Sequence, residues 1–179
     1  MILGLELDMK ATCQQVSHTR TQPCPILVLG LGNILLRDEG VGVRVAQAMQ
    51  SMKLPDTVEV LDGATAGLDL LDILAERRKA IVIDAVDGEL PAGTVVRLTP
   101  EDLIPGDGAA FSLHALGLVE VLRLSRRLGI SPNEVVILGV KPARLEYGLE
   151  LSGELNRLLP RIIELVLNEI DEHEREDQP

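Results

Sequence analysis

From Ile26 onward the apolar residues come in short unbroken runs that alternate with stretches of helical spacing. ILVLG (26–30) is followed by a helical pattern from about Glu39 to Met52, VEVL (58–61) by one from Leu68 to Arg77, and IVIDAV (81–86) comes next. Runs that do not alternate belong to strands covered on both faces, so this βαβαβ order predicts a largely parallel sheet between layers of helix. After Asp84 the style changes. The segment 87–93, with Gly88, Pro91 and Gly93, leads to TVVRL (94–98) by a connection suited to a hairpin, which predicts one antiparallel strand. A long loop through Pro105, Gly106 and Gly108 then leads to a helix opened by His114, with Leu118, Val119 and Leu122 on one face and Gly129 as its stop. EVVILGV (134–140) is the last strand, and Ser152 caps a final helix carrying Leu155, Leu158, Leu159, Ile162, Ile163 and Val166. The expected fold is an α/β three-layer sandwich: a mostly parallel five-stranded sheet with one antiparallel strand and helices on both faces.

The chain has 179 residues, 46% of them hydrophobic, enough for a single core. We divide it into a flexible tail over 1–24, one α/β domain over 25–172 and an acidic tail over 173–179. Aromatic residues make up 1% of the chain and the net charge is −11, so stacking on single-stranded nucleic acid, phosphate backbones and anionic membranes all lose ground as partners. No stretch reaches membrane-spanning length, and Cys13 and Cys24 do not have the spacing of a disulfide framework. These features point to a cytoplasmic protein.

In open α/β sheets ligands collect beyond the carboxyl ends of the parallel strands, and four places put polar residues there. In LGLGNILLRDEG (29–40), Gly30 and Gly32 suggest a tight strand-to-helix loop, but Leu35 stands where a dinucleotide fingerprint wants glycine. A nucleotide is therefore not expected. Asp38 reads as the N-cap of the next helix, and Glu39 as a first-turn acid that also suits a metal. Asp62 with Gly63 reads most simply as a turn. Asp84 ends a strand with a carboxylate after apolar residues, and His114 lies in a first helical turn, whose dipole favours a neutral, metal-competent imidazole. His18 falls in the tail and His173 in the charged run EIDEHERED, read as solvated. Glu39, Asp84 and His114 would converge on one crevice, giving two carboxylates and an imidazole with coordination positions left open. That set suits a divalent transition metal that must also touch something else, and it does not suit a closed zinc site. HExxH and GxSxG are both absent.

These residues resemble the hydrogenase maturation endopeptidases over about Ile26 to Ile170. LGLGNILLRDEGVG is similar to the family's opening signature, DGATAG to its glycine loop, IVIDAV to its acidic strand end, SLHALGL to its histidine helix and YGLELS to its late loop. The resemblance implies an endopeptidase that removes a short C-terminal extension from the large-subunit precursor of a nickel-iron hydrogenase after nickel insertion. By position it makes Glu39, Asp84 and His114 the residues that meet the nickel, carried by the substrate, and places Asp38 and Asp62 as further acids, the candidate catalytic carboxylates. The precursor is then the expected partner, the composition argues against nucleic acid and membrane, and a small acidic helper that must meet a large partner is expected to be a monomer. In one departure, Gly63 is followed by Ala64 where the family often has a second glycine; a positive φ there would strain an alanine. A binding module that recognises the metal site without cutting would use the same three residues.

Overall fold

The computed structural model describes residues 23–64, 67–103 and 113–176, with the backbone alone for 113–116 and 174–176. Strands β1 (Ile26–Leu31), β2 (Val58–Ala64), β3 (Lys79–Ala85), β4 (Val95–Leu98) and β5 (Glu134–Val140) form one sheet in the order β2-β1-β3-β5-β4. Every pairing is parallel except that of β4 with β5. The expected antiparallel strand is present, but it does not form a hairpin with β3. The connection after β3 instead crosses the end of β5: Val86 N–H donates to Val140 O and Gly93 N–H to Lys141 O, both at 2.9 Å, so β5 lies between the two.

Helices α1 (Val41–Gln50) and α4 (Gly153–Glu176) cover one face, and α2 (Leu70–Leu74) and α3 (Leu113–Leu128) the other. Val41, Val45 and Met49 of α1 and Leu155, Ile162, Val166 and Ile170 of α4 pack against Ile26, Val28, Ile81 and Ile83. Their three- and four-residue spacing puts each set on one helix face, while alternate strand residues serve the opposite layer. There Leu70, Leu74, Leu118 and Leu122 meet Leu27, Leu29, Ala80 and Val82.

Several expected boundaries move. The helix expected from Glu39 begins as a 3-10 turn over Arg37–Gly40 and becomes α1 at Val41. The stretch from Leu68 to Arg77 shortens to Leu70–Leu74, because Glu76 takes φ 59° and Arg77 turns inward to bond Ile73 O and Cys24 O and to pair with Glu59 at 2.7 Å. Asp62 and Gly63 lie within β2 rather than in a turn. Gly129 does stop α3, with φ 72°, and Leu155 N–H donates to Ser152 Oγ at the start of α4. Cys24 is buried. Among the described residues no helix is long and apolar enough to cross a membrane.

At the amino ends of the strands Lys79, 2% exposed, sits between Glu169 Oε2 at 3.0 Å and Glu134 Oε1 at 3.3 Å, and Arg97 reaches Glu169 Oε1 at 2.6 Å. This network ties the end of α4 to three strands. His173, read as solvated, lies beside it with Nδ1 at 3.9 Å from Glu134 Oε2. Burial pushes the Glu169 carboxyl up, but hydrogen bonds from Arg97 and Lys79 outweigh it and hold the group below its ordinary 4.5. A carboxyl depressed by folding stabilises above its unfolded pKa and loses that contribution as pH falls through the folded one. Glu169→Gln is therefore expected to lower stability at pH 7 by about 1.5–3 kcal/mol, the range for hydrogen bonds to charged groups. The gap between wild-type and variant urea midpoints should narrow below pH 4.5. A gap unchanged down to pH 3 would show that the ionised carboxylate contributes nothing.

Candidate functional site

In this strand order the connection from β1 runs to one side, to β2, and the connection from β2 crosses back over β1 to β3 on the other side, so the switch point lies at the carboxyl ends of β1 and β3. The β1 loop starts there. It folds back tightly on itself: Gly32 N–H donates to Ala64 O at 2.9 Å, Leu35 N–H to Asn33 Oδ1 at 3.0 Å and Glu39 N–H to Leu36 O at 3.1 Å. A Cβ on Gly32, whose φ is 129°, would lie 1.9 Å from Glu39 O, so the glycine sets where Glu39 stands. The half-buried Glu39 side chain is thus presented on a short 3-10 turn that packs against β3.

Asp84, 1% exposed, is the second-last residue of β3, and its Oδ1 accepts Ala85 N–H at 2.9 Å. By the alternation of the strand it shares a face with Ala80 and Val82, the face covered by α3. Helix α3 precedes a parallel strand and runs antiparallel to it, so it begins on the carboxyl rim with His114 as its second residue. The fold therefore brings Glu39, Asp84 and the backbone of His114 to one rim, from both sides of the sheet. The His114 side chain and Ser112 lie outside the described residues. Among those described, no group of three or more His, Cys, Asp or Glu side chains is gathered closely enough to hold a metal ion.

Asp38 and Asp62, expected as candidate catalytic acids, are placed differently. Asp38 does not cap its own helix; the 3-10 turn starts without a side-chain cap. Its carboxylate, 0% exposed, accepts three backbone N–H groups from across the molecule: Ala143 at 2.9 Å and Arg144 at 2.8 Å on Oδ2, and Ser152 at 2.7 Å on Oδ1. Asp62 is exposed, stands opposite Gly30 on the α1 side of β2, and is held by Ala64 N–H at 2.9 Å and Gln47 Nε2 at 3.1 Å. A full strand separates it from Asp84, and the two carboxylates leave the sheet on opposite faces. Both acids hold backbone in place.

Sequence reasoning missed two positions. Gly42 is the glycine that lets α1 touch the sheet, since a Cβ there would lie 2.1 Å from Ile83 O and 2.4 Å from Leu31 O. The missed signal was DEGVG, whose second glycine falls inside a helix where glycine is unfavourable without a packing reason. The other is the 143–152 segment, whose amides Asp38 collects; nothing local in the sequence marks a partner more than 100 residues away. The expected strain at Ala64 is real: its φ is 43°. Ala64→Gly should stabilise the protein by about 1 kcal/mol, the lower end of the left-handed penalty for a residue with a Cβ. In a domain of this size that raises Tm by about 2–4 °C in a calorimetric scan.

Fold and site together define a doubly wound α/β protein with Glu39 and Asp84 at its switch point and the start of α3, which carries His114, on the same rim. The model of the hydrogenase maturation protease family matches residues 43–169, which include Asp62, Asp84 and His114, with Asp38 and Glu39 just ahead. Hydrogenase 2 maturation protease of Escherichia coli (strain K12) is 41% identical over 144 residues, 79% of this chain and 88% of that one. Hydrogenase expression/formation protein HupD of Rhizobium leguminosarum bv. viciae is 40% identical over 147 residues, 79% and 72% of the two chains. The solved hydrogenase maturating endopeptidase HybD from E. coli superposes with a TM-score of 0.76 at 38% identity, covering 83% of this chain and 93% of its own. The chain belongs to the hydrogenase maturation protease family.

Proposed function

We propose that this endopeptidase removes a C-terminal extension from the large-subunit precursor of a nickel-iron hydrogenase, and that nickel already inserted in the substrate is its recognition element. The observation that carries this is the meeting of the Glu39 turn, Asp84 and the His114 end of α3 on one rim. Two carboxylates and an imidazole are hard and borderline donors that suit a divalent ion whose remaining positions the precursor fills. Contact with that ion fixes the scissile peptide in the crevice and turns a bimolecular encounter into a positioned one. A water molecule, polarised by the substrate's metal or by one of the site carboxylates, then adds to the carbonyl carbon. The C–N bond breaks and the departing amine leaves with the proton. Asp38 and Asp62 serve this reading by holding the loops on which the site is built.

The test is intact mass spectrometry of nickel-loaded and nickel-free precursor, from the same source, after incubation with the protein. Clipping is expected only in the loaded sample and is expected to be lost in Glu39→Gln, Asp84→Asn and His114→Ala. Complex formation without clipping by the wild type would turn the reading toward a binding module, and clipping by His114→Ala would remove the histidine from recognition.

A further inference from the structure

Nine large apolar side chains are exposed among the described residues, and five of them lie on two segments beside the Glu39 turn: Ile34 and Leu35 of the β1 loop, and Leu145, Tyr147 and Leu149 of the 143–152 segment. Tyr147 is the chain's single tyrosine and is 88% exposed, in a protein that otherwise builds with aliphatic residues. The two segments are joined backbone to backbone. Gly148 N–H donates to Leu35 O and Arg37 N–H to Gly148 O, each at 3.0 Å, and Asp38 N–H donates to Arg144 O at 3.3 Å. Beneath them the buried Asp38 carboxylate takes the three amides described above, and Arg37 pairs with Glu146 at 3.1 Å. Holding apolar side chains rigidly in water does not stabilise the free protein. A preorganised apolar face with an aromatic at its centre is, however, how binding surfaces limit the entropy of association.

We infer that Ile34, Leu35, Leu145, Tyr147 and Leu149 form the face on which the large-subunit precursor docks, and that Asp38 holds this face in register with Glu39. The inference rests on the function proposed above. Two observations select the precursor as occupant. The face is continuous with the crevice, since Leu35 and Glu39 share one short loop, so whatever delivers a peptide to the crevice must lie over it. It also carries Arg37, Arg44 and Arg144 against Glu146 and Glu150 at its rim, so a protein partner meets little of the chain's net charge of −11 there. Beyond Leu149 it runs into a groove of about 430 Å³ between α1 and α4, floored by Leu151 and Leu159.

The test compares wild type, Leu35→Ser/Tyr147→Ala and Leu145→Glu for binding and clipping of nickel-loaded precursor, with sedimentation of each protein alone. All the substituted side chains face water, so thermal midpoints should match the wild type. Affinity is expected to fall at least tenfold in both variants, while clipping at saturating precursor stays within about twofold of wild type, since these residues make no contact with the reacting bond. Unchanged affinity in both variants overturns the inference. So does a wild-type dimer that the variants dissociate while precursor binding persists, which would assign the face to a second copy. If the wild type binds the precursor through this face without clipping it, the docking inference stands and the protease reading falls. If the wild type does not bind the precursor at all, both fall.

Discussion

Gly42→Ala is expected to yield little or no folded protein. The added Cβ would meet two backbone carbonyl oxygens, Ile83 O at 2.1 Å and Leu31 O at 2.4 Å, and neither is the end of a side chain that can swing away. Relief would require α1 to lift from the sheet, which opens the contacts of Val41 and Val45 with Ile83 and unseats the turn that carries Glu39. Ordinary overpacking costs about 1–3 kcal/mol, and a clash with backbone on two strands belongs at or above the top of that range. A marginally stable domain of this size has about 5–15 kcal/mol in total, so the loss should show as insoluble expression or a urea midpoint lowered by a third or more. Soluble Gly42→Ala with an unchanged midpoint would mean that α1 does not rest on the sheet as described.

Asp38→Ala is expected to be nearly as damaging for a different reason. It removes a fully buried carboxylate that accepts three backbone N–H groups, those of Ala143 and Arg144 near the surface and that of buried Ser152. A buried donor left unpaired costs about 1–3 kcal/mol and each of the other two bonds contributes about 1 kcal/mol, so a loss of about 3–5 kcal/mol is expected. Asp38→Asn separates the hydrogen bonds from the side chain's volume. Its single carbonyl oxygen can serve Ala143 and Arg144, but its amide nitrogen would then face the Ser152 N–H, donor against donor. Asparagine should fall between wild type and alanine in urea unfolding. If alanine and asparagine both unfold as the wild type does, the carboxylate is not the tie between the two loops.

What could be read in advance follows from the physics of each feature. The order of strands and the two-sided burial of β1 and β3 were legible because unbroken runs such as ILVLG have no polar face to show water. Gly129 and Ser152 were legible because helix ends are local events. The partners of Asp38 were not, since a carboxylate that caps its own turn and one that collects amides from 143–152 look alike in sequence. Neither was the neighbour of β4: a short connection signals a return in direction, and only the backbone bonds of Val86 and Gly93 to the end of β5 show that another strand fills the gap. Glu39, Asp84 and the start of α3 were legible as helix-start and strand-end positions, which the fold carries to one rim. Asp62 was read as a turn residue because Asp-Gly is common in turns, whereas here it continues β2.

The place of β5 between β3 and β4 also sets an order of events during synthesis. The first three strands pair with one another and can assemble as soon as they have emerged, whereas β4 leaves the ribosome with no strand to pair with until residues 134–140 follow. For that interval α3 can already lay Leu118 and Leu122 on Leu27, Leu29, Ala80 and Val82, but the amides of Ala143, Arg144 and Ser152 that Asp38 collects have not yet emerged. A nascent chain stalled before β5 would thus hold three strands and a turn without its ties. The segment that follows β5 acts as the latch that fixes the Glu39 turn in place.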